Sequence, residues 1–372
     1  MMLFWVIMLV ATMLAGVIAV QTSQIPKNSK PQFPTRALLG GAAVLAGAVG
    51  KKLYDGPAFN EPVDLTGKVI AITGSNTGLG FESAKKLASL GKPEIIMLCR
   101  NEQKAKAAID KIFAQTGNPN LSYIQCDLED LKSVAAAAQE LKAKHSRLDV
   151  LQLNSGVMAI PTREVTKDGF EKHLGINHLG HFALTRDLFD LIKKTKAARI
   201  INVSSSAHLL GKLNRDDLQL SKDGAYASAG WQAYGNSKLA NILFTRELNR
   251  RLQESGNSNN IVSATLHPGA CRTELGRYIF DPASIPKLLA PVLGVVASPL
   301  IAVSFYFTKD AFMGSQTQTY LSASTQVSPA SAGGVFFDNS SPAGTSSEAQ
   351  DANQAKWLWS ESERLTGASF NV

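Results

Sequence analysis

Residues 68–80 read Lys-Val-Ile-Ala-Ile-Thr-Gly-Ser-Asn-Thr-Gly-Leu-Gly. The first six, Lys68–Thr73, form a short apolar run of the kind that makes a strand buried on both faces. Glycines follow at 74, 78 and 80, spaced Gly-x-x-x-Gly-x-Gly, and helical spacing covers Leu79–Leu90 up to Gly91. Glycine permits a tight turn and lets the backbone come close to a ligand. A helix starting there offers free N–H groups and the positive end of its dipole to an anion. A glycine cluster alone is weak evidence, because an ordinary strand-to-helix turn can hold one. Its place after the first strand and before a helix is the context that a pyrophosphate-binding turn needs. Gly74, Asn76, Thr77, Gly78, Leu79 and Gly80 are therefore candidate dinucleotide-binding residues.

Working outward, strand and helix patterns alternate. Strands are expected at Glu94–Cys99, Leu121–Cys126, Leu148–Leu153, Arg199–Val203 and Ile261–Leu266. Helices are expected at Asn101–Gln115, Leu131–Lys144, Phe170–Lys194 and Tyr234–Gln253. Such alternation predicts an α/β fold: a single Rossmann-type, doubly wound parallel sheet with helices on both faces. Ligands then bind at the carboxyl ends of the strands. A last strand is expected near Val335–Phe337. Ser322–Asp351, rich in Ser, Ala and Gly, reads as loop-rich. There is no internal repeat.

The residues after the second strand bear on which dinucleotide binds. NAD sites tend to carry an Asp or Glu there for the ribose 2′-OH. This chain has Cys99-Arg100-Asn101, with Lys104 a turn later. A guanidinium suits a 2′-phosphate, and no carboxylate at 99–101 opposes it. NADP(H) is the expected cofactor, with Arg100 in contact. The alternative leaves Arg100 a solvated strand end.

Tyr234-Gly235-Asn236-Ser237-Lys238 opens a predicted helix, so phenol and ammonium lie at i and i+4 on one face. A nearby cation favours phenolate and is expected to draw the phenol pKa towards neutrality. Tyr234 could then donate a proton to a carbonyl or take one from an alcohol. Tyr-x-x-x-Lys occurs often by chance. It gains meaning here from following the Ser204-Ser205-Ser206 strand end inside a dinucleotide fold.

With these motifs in order, the chain resembles the short-chain dehydrogenase/reductase family, and within it the microsomal retinol dehydrogenase-like enzymes. The matching stretches are Thr73–Gly80, Cys99–Asn101, Cys126–Leu128, Asn177–Phe182, Arg199–Ser205, Tyr234–Asn241, His267–Gly269 and Gln354–Trp359. The resemblance implies that Ser205 polarises a substrate carbonyl and Tyr234 transfers the proton. It implies that Lys238 binds the nicotinamide ribose and tunes Tyr234, and that Asn177 holds a water in the proton relay. Asp127 and Leu128 would contact the adenine, and Pro268 and Gly269 would flank the nicotinamide. Asn154 and Gly156 complete the cofactor set. The family's Asn-Asn-Ala-Gly segment reads Leu153-Asn154-Ser155-Gly156 here, which puts some sheet-stabilising hydrogen bonds in question. The long Ser205–Tyr234 interval suits the subgroup, whose loop carries a segment like Asp217-Leu218-Gln219. A lipophilic alcohol and its aldehyde or ketone are the implied substrates. A plastid NADPH reductase of a pigment or prenyl-type substrate, and a catalytically silent dinucleotide-binding scaffold, are the competing readings.

Composition narrows the rest. Of 372 residues, 45% are hydrophobic and 18% charged, enough for a sizeable core. Residues 1–54 hold Lys27, Lys30, Arg36, Lys51 and Lys52 and no acid, so five of the eight net positive charges lie there. The folded part has no clustered basic face, which argues against a nucleic-acid partner. Cys99, Cys126 and Cys271 are dispersed and read as reduced thiols, not as disulfides or zinc ligands. His178 and His181 stand at i and i+3 without a third ligand nearby, so a structural role is expected and no metal site. Asn202-Val203-Ser204 and Asn339-Ser340-Ser341 are formal glycosylation sequons, the first inside a predicted buried strand.

Met1–Val20 is apolar, uncharged and long enough to span a bilayer. Lys27, Lys30 and Arg36 behind it would keep the folded part cytosolic. The reading is a retained anchor, with the enzyme on the endoplasmic reticulum facing the cytosol. The alternative is a bipartite organelle-targeting leader that is later removed. The expected organisation is residues 1–20 as anchor or signal, 21–62 as basic linker, and 63–372 as the enzyme domain. Residues 276–312 would be its apolar substrate lid. Within that lid, Leu288–Phe307 is uncharged but interrupted by Pro291 and Pro299, and a membrane contact is expected there more than a span.

Overall fold

The computed structural model describes residues 48–222, 224–226, 228–257, 259–272 and 308–372. They divide into two units. In the first, residues 48–55 are helical and Lys51 pairs with Asp55 one turn later. The second starts at Pro57, earlier than the expected boundary at residue 63. The reason is contact: Phe59 is buried and its backbone N–H donates to Gln316 Oε1 at 2.8 Å. Glu61 Oε1 also accepts from Thr325 N at 2.9 Å. The apolar segment Met1–Val20 and most of the expected lid lie outside the described residues.

One eight-stranded sheet forms the centre, in the order β3-β2-β1-β4-β5-β6-β7-β8. Its strands are β1 (Val69–Thr73), β2 (Glu94–Cys99), β3 (Leu121–Gln125), β4 (Val150–Leu153), β5 (Ala198–Val203), β6 (Ile261–His267), β7 (Phe336–Asp338) and β8 (Ser341–Pro342). All neighbours pair in parallel except β7 with β8. The main helices are α1 (Gly78–Ala88), α2 (Glu102–Thr116), α3 (Leu131–Lys144), α4 (Gly180–Lys194), α5 (Trp231–Glu254), α6 (Gln316–Ala323) and α7 (Ala352–Thr366). The doubly wound sheet expected from the alternation is present.

Period-2 geometry divides the core between the sheet's faces. Val69 and Ala71 of β1 pack with side chains of α3, α4 and α5, including Ala138, Leu188 and Leu248. Ile70 and Ile72 pack with those of α1, α2 and α6, including Leu87, Ile112 and Leu321. Local chemistry sets the helix limits. Asn101 caps α2 through Lys104 N at 2.9 Å, and Gly117 ends it in the left-handed region. Asp130 caps α3, and Asp351 caps α7.

The structure departs from the sequence-based expectation in three places. The stretch expected as one helix from Phe170 starts at Lys172 and includes a π-helical turn, Gly175–Leu179, that carries Asn177. Helix α6, unpredicted, forms where mostly polar side chains bond to the sheet instead of showing an apolar stripe, with Ser322 Oγ accepting from Gln152 of β4 at 2.6 Å, and the short helix Ala311–Gly314, capped by Asp310, precedes it. The loop-rich stretch contains a tight hairpin, β7–β8. Asn339 and Ser340 connect it with φ of 49° and 59°, as a two-residue turn with both residues left-handed requires.

Candidate active site

The glycine turn sits at the carboxyl end of β1. Gly74 has φ of +64°, and a methyl there would lie 2.4 Å from Ser155 Oγ. At Gly80 a methyl would lie 2.5 Å from Asn154 Nδ2 and 2.6 Å from Gly74 O. Only glycine allows β1, α1 and the β4 end to meet so closely. Thr77, at the start of α1, makes no side-chain capping bond, and the first turn holds no acid. Its N–H groups are left for an anion, so the turn fits a dinucleotide phosphate.

Thr73 ties the strand ends together. Its Oγ1 accepts from Asn154 N at 2.8 Å and Ser155 N at 3.0 Å. His181 Nδ1 donates to Asn177 O at 3.1 Å, which leaves Nε2 to accept from Thr73 Oγ1 at 2.9 Å. Asn154 Nδ2 adds a bond to Thr73 O at 2.9 Å. These bonds hold the β1 and β4 ends together, and Leu153, where the family has Asn, is instead a fully buried apolar residue. His178 is bound to Ser362 Oγ at 2.8 Å. Burial pushes both His178 and His181 down to about 3, so both are neutral structural residues. Among the described residues no group of three His, Cys, Asp or Glu side chains is placed to hold a metal.

α5 supplies Tyr234 and Lys238, both buried. Lys238 Nζ donates to Val203 O at 2.9 Å and lies 5.7 Å from the centre of the Tyr234 ring. Ser205 ends the loop after β5, held by His208 Nδ1 donating to its carbonyl at 2.7 Å. Its Oγ accepts from Ala207 N at 3.1 Å, which leaves its proton free to donate. Asn177 spends its amide on Val157, accepting at 2.8 Å and donating at 3.0 Å, and on Ser237 Oγ at 2.8 Å.

The electrostatics correct one expectation. Burial pushes the Tyr234 phenol up to about 12, and the nearby Ser205 hydroxyl draws it only partly back. Burial also pushes Lys238 down to about 7. Taking the ammonium out of water weakens the cation that was expected to lower the phenol pKa. With protein groups alone around it, Tyr234 is a protonated phenol at neutral pH.

Gly74, Asn76, Thr77, Gly78, Leu79, Asn154, Gly156, Tyr234, Lys238 and Pro268 line one pocket, joined by Ser155, Val203 and Ser204. A second hollow of about 470 Å³ lies at the opposite ends of β1–β3, around Lys68, Lys92 and Glu94. It is at the wrong end of the strands for a doubly wound fold and holds no acid–base pair beside a glycine turn.

The comparisons agree with this geometry. The family profile described as short chain dehydrogenase matches residues 68–215. Retinol dehydrogenase 12 of Mus musculus is 37% identical over 320 residues, 86% of this chain and 93% of that protein. Retinol dehydrogenase 13 of Homo sapiens is 38% identical over 344 residues, 91% of this chain and 96% of that protein. The crystal structure of an uncharacterised protein from Mycobacterium paratuberculosis superposes with a TM-score of 0.64 at 32% identity, covering 85% of this chain and all of that one. This chain belongs to the short-chain dehydrogenase/reductase family. It falls in the retinol dehydrogenase-like branch and is an oxidoreductase of alcohol and carbonyl groups with a nicotinamide dinucleotide cofactor.

Within this dehydrogenase, the other anticipated residues lie off the pocket. Arg100 is exposed at the end of β2 and pairs with Glu129 at 2.8 Å. Asp127, after β3, accepts from Glu129 N at 3.1 Å. Leu128 turns its side chain into the core against Gly180. Gly269 has φ of +88°, and its missing side chain makes room for the Lys309 chain. The sequence reading passed over Glu171, His173 and Tyr226, which gather beside Tyr234. The signal for the first two was the acid–histidine pair Glu171-Lys172-His173 just ahead of the Asn177 motif, but its spacing pointed to no shared face.

Proposed function

We propose that this chain is an NADP(H)-dependent oxidoreductase that interconverts a lipophilic alcohol and its aldehyde or ketone. The observation that carries this reading is a buried Tyr234, with Ser205 and Lys238 beside it, opening on the pocket of the glycine turn. Gly74, Asn76–Gly80, Asn154 and Gly156 would hold the dinucleotide, and Pro268 and Gly269 would flank its nicotinamide. Asp127 and the Leu128 backbone would meet the adenine. When bound, the nicotinamide supplies or accepts the hydride. Ser205 donates to the substrate oxygen, and Tyr234 gives that oxygen its proton. A phenol held protonated favours the acid role, and therefore carbonyl reduction. The reverse reaction needs added positive charge near the phenol, which an oxidised nicotinamide brings. Asn177 Oδ1 keeps a lone pair for a water between it and Lys238.

The choice of NADP(H) is supported by Arg100 and Asn101 at the end of β2, where NAD sites carry an acid. Arg100 would exchange Glu129 for the 2′-phosphate. A lipophilic substrate is supported by the retinol dehydrogenase names of the relatives. Met1–Val20 would anchor the enzyme to the endoplasmic reticulum, facing the cytosol. Among the described residues no helix is long and apolar enough to cross a membrane.

The test is NADPH oxidation by the purified full chain with a panel of lipophilic aldehydes that includes all-trans-retinal. Tyr234→Phe is run beside the wild type and is expected to lose on the order of 10²–10⁴-fold in kcat while still binding NADPH. A wild type that binds NADPH and reduces no carbonyl would overturn the reading.

A further inference from the structure

The catalytic helix starts against a single backbone unit, and a buried polar cluster holds that unit. Gly230 precedes α5 with φ of +78°, and a methyl on it would lie 2.1 Å from Ile160 O and 3.1 Å from Ile160 N. The Ile160 backbone therefore sets where α5 begins, one turn before Tyr234. Both of its polar groups are taken by side chains. Ile160 N–H donates to His173 Nε2 at 3.3 Å, and Tyr226 Oη donates to Ile160 O at 2.9 Å.

His173 is fully buried, and only one tautomer satisfies its contacts. Since Nε2 accepts from Ile160, Nδ1 carries the proton and donates to Glu171 Oε1 at 2.7 Å. Glu171 is itself held, with Oε1 accepting from His173 N at 3.0 Å and Oε2 from Leu174 N at 2.8 Å. The His173 ring stands 6.2 Å from the Tyr234 ring, and Trp231 stands 6.1 Å from it edge-on. Neither His173 nor Trp231 lines the dinucleotide pocket. The cluster thus touches the phenol and the start of its helix without touching the cofactor site.

We propose that Glu171, His173 and Tyr226 form a brace that positions Tyr234 for proton transfer by fixing the Ile160 backbone against Gly230 and the His173 ring against the phenol. These are positioning residues, and their role rests on the reading of Tyr234 as the proton-transferring group. A reacting group displaced by about 1 Å can lose about 10²-fold in rate while binding is unchanged. The brace should therefore appear in kcat and not in KM or in NADPH affinity.

The experiment uses the full chain, NADPH, and whichever aldehyde of the panel the wild type reduces fastest. His173→Leu removes the acceptor for Ile160 N–H and is expected to lower kcat about 10–100-fold, with aldehyde KM and NADPH Kd within about threefold of wild type. His173→Gln offers an amide oxygen to Ile160 N–H and should recover most of that loss. Tyr226→Phe removes one hydroxyl and should lower kcat about 3–10-fold. Wild-type kcat in His173→Leu overturns the brace and leaves the Tyr234 reading standing. If His173→Leu does not fold, wild-type kcat in Tyr226→Phe overturns it instead. A loss of NADPH binding equal to the loss in kcat, without rescue by Gln, also overturns it, because that pattern marks a purely structural role. Turnover by Tyr234→Phe at the wild-type rate, or a wild type that reduces no aldehyde, overturns the underlying reading.

Discussion

Gly80→Ala tests whether the glycine turn is built for close approach or is only a flexible connection. Two effects oppose each other. Alanine is a better helix former than glycine by about 1 kcal/mol, and Gly80 lies inside α1. Against this, the new methyl would sit 2.5 Å from Asn154 Nδ2, 2.6 Å from Gly74 O and 3.0 Å from Ser75 Cα. Two of these neighbours are backbone atoms of the turn itself, and Asn154 is already tied to Thr73 O at 2.9 Å. Relief requires α1 to move off the turn, and overpacking of this kind costs about 1–3 kcal/mol. The net loss of stability is therefore small, about 0–2 kcal/mol. The dinucleotide site bears the larger effect, since α1 carries the N–H groups that would meet the phosphate. We expect NADPH Kd to rise about 10–100-fold, each decade corresponding to about 1.4 kcal/mol. Kd is read from the change in NADPH fluorescence on titration, and stability from thermal unfolding without cofactor. Gly344→Ala is the control, because a methyl there meets nothing within 4 Å. An unchanged Kd in Gly80→Ala would refute the argument that the turn is closed to side chains because of its ligand.

Lys238→Met should raise the unfolding midpoint near pH 6–7 while abolishing turnover. Lys238 titrates at about 7 when folded and at its ordinary 10.5 when unfolded. Between those values the unfolded chain holds a proton that the folded one lacks, so wild-type stability climbs with pH across that window and the penalty is complete below it. The variant should lose this slope, and midpoints measured from pH 6 to 10 that run parallel to wild type would count against it. Arg100→Asp should weaken NADPH binding about tenfold or more and leave NADH binding equal or tighter, as paired titrations would show. Arg199 donates to Leu321 O at 2.9 Å and Ser324 O at 2.8 Å, so Arg199→Met should cost about 2–4 kcal/mol in denaturant unfolding. Residues 1–54 fused to a fluorescent protein should label the endoplasmic reticulum and resist carbonate extraction. Delivery to a plastid interior would favour the leader reading.

Most of the fold was legible because its signals are local. Apolar runs bounded by Gly74, Gly91 and Gly117, and caps such as Asn101 and Asp130, are short-range chemistry that sequence displays directly. The hairpin at Asn339–Ser340 and helix α6 were not legible, since they lack apolar periodicity and are held by distant groups. Gln318, for example, reaches Leu79 O at 3.2 Å.

The candidate site divides along the same line. Sequence alone determined the glycine turn between β1 and α1, the Tyr234–Lys238 pair on one helix face and the dehydrogenase family, because fixed spacings within single elements carry them. Only the tertiary structure decided that this face is buried. Burial reverses the pKa expected for Tyr234, since desolvation depends on what the rest of the chain removes from water. Tertiary structure also gathered Glu171, His173, Tyr226 and Ile160 around the start of α5. Glu171 and His173 are near neighbours in sequence, but Tyr226 lies 66 residues beyond Ile160, and only the packing of the sheet and its helices brings it and the start of α5 to them.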